Sequence, residues 1–163
     1  MNKAAYPGSR SICLIIAGTL FLFVVFSFSV IHSLIHIPKL VYYNTTASMP
    51  NGFYLSSHDA LTAGHLVVIE SSRLKYNNRK LPQYLLKRFI PYHGQHVTIN
   101  GDGLFFDGNL VAKKLTRQGV TLNGLLNSSQ AIILGDSAKS YDSRYFGPVA
   151  VADLIPVKPF LTW

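Results

Sequence analysis

Apolar and polar positions fall into two regimes along this chain. From Ile12 to Ile31, twenty consecutive residues carry no charge. As a helix that run is about 30 Å long, the thickness of the bilayer hydrocarbon. A core helix of a soluble domain keeps one polar face, and this run has none. The pattern predicts a membrane-spanning helix over residues 12–34, preceded by a short tail of residues 1–11. After residue 40 the helical period disappears and short apolar runs replace it. His65–Ile69, Gln83–Ile90, His96–Ile99 and Ala131–Leu134 read as strands. Asp102-Gly103 and Asp107-Gly108 bracket Leu104–Phe106, with Leu110–Ala112 as the return strand of a hairpin. Gly147-Pro148 punctuates the chain before Val149–Val151. The expected architecture is a mainly β domain over residues 35–163, without repeats or a linker.

Composition sharpens this picture. Of 163 residues, 48% are hydrophobic and 13% charged, against a usual ~25% charged. A disordered tail or a coiled coil is excluded. Cys13 stands alone, so neither an intramolecular disulfide nor a CxxC motif is available. Lys3 and Arg10 precede the apolar run and only Lys39 closely follows it, which puts the N-terminus in the cytoplasm and the domain on the outer side of the membrane. Ser27 and Ser29 offer a weak cleavage pattern. The run is longer than the ~7–15 residues of a signal-peptide core, so it reads as an uncleaved anchor.

The net charge of +8 raises anionic partners. Four of its cations lie in Arg73–Lys80, which reads as a solvated loop or, more sharply, as a contact for anionic lipid. No helix-turn-helix or zinc-finger pattern accompanies them, and no nucleic-acid partner is expected. His32 and His36 read as interfacial side chains. His93 and His96 are too few for a zinc site, and no metal or cofactor is expected. Tyr42-Tyr43 and Phe160 with Trp163 suit a membrane interface or ordinary packing equally.

The candidate chemistry lies in Asn44–Tyr54, Leu85–Pro91 and Gly135–Pro148. Ser48, just before Met49-Pro50, could be presented on a fixed backbone, but it needs a base. No histidine sits in a partner motif, and no GxSxG elbow surrounds Ser48. Lysine is the alternative. With a pKa near 10.4 it is neutral about once in 2,500 at pH 7, a handicap of about 4–5 kcal/mol that burial can remove. In a strand, Leu85, Lys87 and Phe89 share one face, and Leu86, Arg88 and Ile90 the other. Lys87 therefore lies between apolar neighbours. On its residues alone, a snorkelling surface lysine is the ordinary reading of this pattern.

Ser48-Met49-Pro50, Lys87-Arg88, Gly135-Asp136 and Ser140-Tyr-Asp142-Ser-Arg144-Tyr-Phe-Gly147, in that order, resemble the boxes of the type I signal peptidases. Asn44–Tyr54 and the C-terminal Pro159-Phe-Leu-Thr-Trp163 resemble more narrowly the conjugative-transfer signal peptidases of the TraF type. The resemblance runs from the anchor to Trp163. It implies a signal-peptidase-like β domain and a membrane-anchored serine endopeptidase with a Ser-Lys dyad. Ser48 matches the nucleophile and Lys87 the general base. The Ser48 backbone N–H and the Thr46 hydroxyl match the oxyanion hole. Ser140 matches a serine that hydrogen-bonds and orients the lysine, and Asp142 and Arg144 match a bracing pair.

The implied substrate is an exported precursor, in particular a conjugative pilin, whose leader is removed and whose new end can be joined into a ring. The lipid bilayer and other transfer components are the implied partners. A general leader peptidase and a non-catalytic member of a transfer apparatus are the alternatives. Two departures, Gly64-His65 and Tyr92-His93-Gly94-Gln95, replace Gly-Asp and Pro-Gly-Asp of the family pattern. They bear on local turns and lie outside the dyad.

Overall fold

The computed structural model describes residues 18–30, 40–74, 80–91 and 94–163. The chain divides into two units, Met1–Lys39 and Leu40–Trp163. In the first, residues 18–30 form helix α1. Its Leu20, Phe21, Phe23, Phe26 and Phe28 side chains are exposed. Among the described residues no helix is long and apolar enough to cross a membrane. Residues 12–17 and 31–34 of the expected anchor, the tail 1–11, and His32 and His36 lie outside the described residues. So do His93 and residues 75–79 of the basic stretch.

Among the described residues the second unit has eleven strands: β1 (Val41–Asn44), β2 (Gly52–Ser56), β3 (Leu66–Glu70), β4 (Tyr84–Ile90), β5 (His96–Ile99), β6 (Gly103–Phe106), β7 (Asn109–Lys113), β8 (Leu122–Leu125), β9 (Gln130–Leu134), β10 (Val149–Ala150) and β11 (Ile155–Thr162). A single-turn helix, α2 (Ser143–Phe146), lies between β9 and β10. The apolar runs became strands within a residue or two of their expected bounds. Val149–Val151 shortened to two paired residues, because Val151–Asp153 turns into a 3-10 helix. β1, β2, β8 and β11 were not anticipated. Their alternation is short or, in β11, interrupted by Pro156 and Pro159, and their pairing is with distant segments.

Seven strands form one antiparallel sheet in the order β1-β2-β11-β3-β4-β9-β10, and four form a second, β7-β6-β5-β8. Asp107 and Gly108, with φ of 48° and 80°, make the two-residue turn of the β6–β7 hairpin. Both angles positive is the type I′ turn that matches strand twist.

β3 and β4 are interior strands with core on both faces. Val67, Ile69 and Leu85 enter one cluster with Ile133 and Phe146, while Val68 and Leu86 enter another with Tyr42, Met49 and Tyr54. A third cluster joins Val97, Ile99 and Leu104 of the small sheet to Ile132 of β9. Burial on both faces explains why Leu66–Ile69 reads as a continuous apolar run rather than an alternating one.

Gly52 ends the β1–β2 connection with φ of 148°. A Cβ there would collide with Leu161 O and Thr162 Cα, where β11 closes against β2. Gly52→Ala should therefore destabilise the domain by at least about 2 kcal/mol, read as a drop in the midpoint of thermal or urea unfolding. An unchanged midpoint would show that β11 yields at no cost.

Candidate active site

Three segments meet at one end of the large sheet: the β1–β2 connection, the middle of β4, and the chain from the end of β9 to α2. The first carries Ser48. Asn44, at the end of β1 and buried, ties this connection together. Its Nδ2 donates to Thr46 O (3.1 Å), Met49 O (3.0 Å) and Pro50 O (3.0 Å). Its Oδ1 accepts from Thr46 N (3.2 Å) and Thr46 Oγ1 (2.8 Å). Met49 is buried in the core beneath, and Tyr54 Oη donates to Pro50 O at 2.7 Å. The Ser48 carbonyl is gripped from across the site by Asp136 N at 2.8 Å.

Lys87 enters from β4, on the face it shares with Leu85, directly opposite Val67 of β3. It is 2% exposed. Its Nζ lies 3.0 Å from Ser48 Oγ and donates to Leu86 O at 3.0 Å. Thirty-nine residues separate the two side chains in sequence. Burial lowers the Lys87 pKa from 10.5 to about 8. Asp142 and Asp136 oppose that shift and Arg144 adds to it. At pH 7 such a lysine is neutral in about one molecule in ten, compared with one in thousands for an exposed lysine.

The hydrogen-bond direction follows from the acceptors. An amide oxygen cannot donate, so the Thr46 hydroxyl proton goes to Asn44 Oδ1. The Thr46 to Ser48 contact of 2.9 Å therefore has Ser48 Oγ as donor. Ser48 Oγ in turn accepts from the charged Lys87. The chain of bonds runs from Lys87 to Ser48 to Thr46 to Asn44. The oxyanion donation expected of Thr46 is not made in this arrangement, because its one proton is committed to Asn44.

The third segment is shaped by a buried ion pair. Asp142 caps α2 and takes Arg144 Nε at 2.8 Å and Nη2 at 2.7 Å. It also accepts from Gly135 N at 2.9 Å. Arg144 spends its remaining donors on the carbonyls of Lys113, Ala138, Ser137 and Ser140. Paired charges with every donor used are the condition for tolerable burial. The Asp142 contact raises the Arg144 pKa. Between them Asp142 and Arg144 bond Gly135 N and the carbonyls of Ser137, Ala138 and Ser140.

Ser140 is buried beside this pair and lines the same cleft as Lys87. The bond expected between them is not made. Among the described residues Ser140 Oγ has no hydrogen-bond partner. It sits instead where a side chain at Gly135 would begin, and a Cβ on Gly135 would meet the Ser140 side chain and come within 3.0 Å of Ser48 O. Gly135 is therefore required by close approach. The cleft itself, about 250 Å³, opens over Thr46, Ser48 and Lys87 between Leu81, Pro82, Leu85 and Tyr141.

Sequence reasoning overlooked Asn44 as a side chain with a task. An asparagine closing a strand before a hydroxyl-rich turn is a local signal that could have found it. The capture of Ser48 O by Asp136 N had no such signal. The turn at Gly64-His65 forms without the aspartate of the family pattern: Thr62 Oγ1 and His65 Nε2 are 2.8 Å apart, and Gly64 has φ of 78°. Among the described residues no group of three or more His, Cys, Asp or Glu is placed to hold a metal.

The family model for signal peptidase, peptidase S26, matches residues 12–163, and the chain belongs to that family of serine endopeptidases. Within it, the chain is similar to two plasmid transfer proteins TraF from Escherichia coli, each 27% identical over 145 residues, spanning 74% of this chain and 82% of theirs. The crystal structure of a signal peptidase I from Enterococcus faecalis V583 aligns at 21% identity over 65% of this chain and 100% of that one, with a TM-score of 0.37.

Two stability measurements probe this site without an assay. A depressed lysine pKa means the folded state is penalised below pH 8, where a charge must be buried. Between pH 8 and 10.5 the unfolded chain holds the extra proton, so stability rises with pH. Wild type should gain about 3 kcal/mol on Lys87→Met between pH 7 and 10.5, measured by urea unfolding at each pH. A constant difference would mean that Lys87 titrates normally. Arg144→Met strands the Asp142 carboxylate and should cost about 3–5 kcal/mol at pH 7 in the same assay. A loss under 1 kcal/mol would show that the pair braces nothing.

Proposed function

We propose that this chain is a membrane-anchored leader peptidase whose Ser48 and Lys87 form the catalytic dyad. The observation that carries the proposal is the 3.0 Å approach of Lys87 Nζ to Ser48 Oγ, with the lysine buried. When Lys87 is neutral, its lone pair takes the Ser48 proton as Oγ attacks the scissile carbonyl. The lysine then gives that proton to the leaving amine. A water deprotonated by the same Nζ hydrolyses the acyl-enzyme. The Ser48 backbone N–H would face the oxyanion, with the Thr46 hydroxyl as a second donor only if it turns away from Asn44. Such donors are worth about 2.7–4 kcal/mol each. Ser140, Asp142 and Arg144 would act by holding the far wall in place. The apolar cleft beside Ser48 suits small residues before the cut.

The anchor rests on the uncharged run around α1 together with the exposed Tyr43–Phe53–Trp163 ring cluster and Phe160. Aromatic residues of this kind favour the membrane–water interface. Tyr42, by contrast, is core. The likeness to plasmid transfer proteins TraF supports a pilin precursor of a conjugative system as the substrate, processed on the outer face of the inner membrane.

The test is mass spectrometry of the pilin precursor from cells carrying wild type, Ser48→Ala or Lys87→Ala. Processing should occur with wild type only, and a product lighter by one water marks ring closure. Processing by both variants would overturn the dyad. The pH dependence is a second check. The groups facing Lys87 are Asp142, Arg144 and Asp136. Because the neutral form is active, the processing rate should rise about tenfold per pH unit below pH 8 and level off above it. A rate flat from pH 5 to 10 would exclude the lysine as base.

A further inference from the structure

Resting on the assignment of Ser48 as nucleophile, we infer that Asn44 is a positioning residue of the reaction, acting on Ser48 through the Thr46 hydroxyl. Asn44 is 7% exposed and does not line the cleft. Both ends of its amide are committed. Three carbonyls take Nδ2, and the Thr46 N–H and hydroxyl go to Oδ1. The amide cannot be flipped without setting its oxygen against three carbonyl oxygens, so its orientation is dictated by the turn.

That orientation has a consequence for Ser48. With its own proton on Asn44, Thr46 Oγ1 presents only lone pairs to Ser48 Oγ. While Lys87 is charged, the Ser48 proton rests on Thr46, and Oγ keeps its place 2.9 Å from Thr46 and 3.0 Å from Lys87 Nζ. When Lys87 loses its proton, the Ser48 O–H needs only to rotate from Thr46 to Nζ, with no movement of Oγ. Asn44 thereby keeps the nucleophile in its attack position in both charge states. Without Asn44 the Thr46 hydroxyl is released, the Met49 carbonyl loses its side-chain donor, and Pro50 O keeps only Tyr54 Oη. Misplacement of a reacting atom by about 1 Å costs on the order of 100-fold in rate.

The test uses the full chain in detergent micelles and a quenched fluorogenic peptide with alanine one and three residues before the cut. Asn44→Ala should lower kcat about 100-fold while KM stays within about twofold, since Asn44 does not line the cleft. The midpoint of the pH–rate profile should not move, because Asn44 is uncharged and does not touch Lys87. Thr46→Val keeps every Nδ2 bond and removes only the hydroxyl. It should lower kcat at least tenfold, and Thr46→Ser should restore it. The double variant Asn44→Ala/Thr46→Val should be no slower than Asn44→Ala alone.

If Asn44→Ala does not fold, the Thr46 pair decides: equal kcat for Thr46→Val and wild type overturns the inference. So does an Asn44→Ala variant with normal kcat, or one whose loss lies entirely in KM. Ser48→Ala, run in parallel, separates the two levels. An inactive Ser48→Ala with a fully active Asn44→Ala refutes the role of Asn44 alone. An active Ser48→Ala refutes the nucleophile and the role of Asn44 with it.

Discussion

Placing the Lys87 ammonium inside the sheet is the constraint on which the site depends. A lysine on an edge strand, or on a strand with one wet face, would reach water and keep its ordinary pKa. β4 is flanked by β3 and β9 and covered on both faces, which leaves the Lys87 side chain 2% exposed at the floor of the cleft. It meets Leu86 O and Ser48 Oγ instead. The stability that the fold gives up in burying this charge is the same free energy that makes a neutral amine accessible near pH 8. Stability and basicity are here two readings of one desolvation.

The walls of the site are irregular backbone, and irregular backbone leaves carbonyls without partners. Two polar side chains solve this on opposite sides of the cleft. Asn44 collects carbonyls of the Ser48 connection, and Arg144 collects those of Lys113, Ser137, Ala138 and Ser140. Arg144 can do so while buried because Asp142 neutralises it and also takes Gly135 N. The two walls join where Asp136 N meets Ser48 O. Packing there is close enough that Gly135 admits no side chain. Among the described residues two buried side-chain oxygens are left without a partner, Asn51 Oδ1 and Ser140 Oγ, the second beside the lysine it was expected to hold.

The chain belongs to the signal peptidase family and is similar to plasmid transfer proteins TraF. The family model covers both the apolar N-terminal run and the β domain. The exposed rings of Tyr43, Phe53 and Trp163 at β1, β2 and the C-terminus form one cluster on the β domain.

Much of this was legible in the sequence, for identifiable reasons. A continuous apolar run such as Leu66–Ile69 reports burial on both faces. Alternation in Leu85–Ile90 assigns Lys87 to the face of Leu85. Asp107-Gly108 dictates a tight turn through its positive φ angles. These are local properties, set by neighbours within a few residues. What the sequence left open depended on pairing across long separations. Strand β11, with two prolines, exists because β2 and β3 lie on either side of it. That Thr46 gives its proton to Asn44 rather than to the cleft, and that Ser140 stops short of Lys87, are outcomes of packing at the scale of one hydrogen bond. Residue order determined which groups were present and which face each strand turned inward. Only the tertiary structure decided which of them touch, because contact distances are fixed by the closure of the whole sheet and not by any one segment.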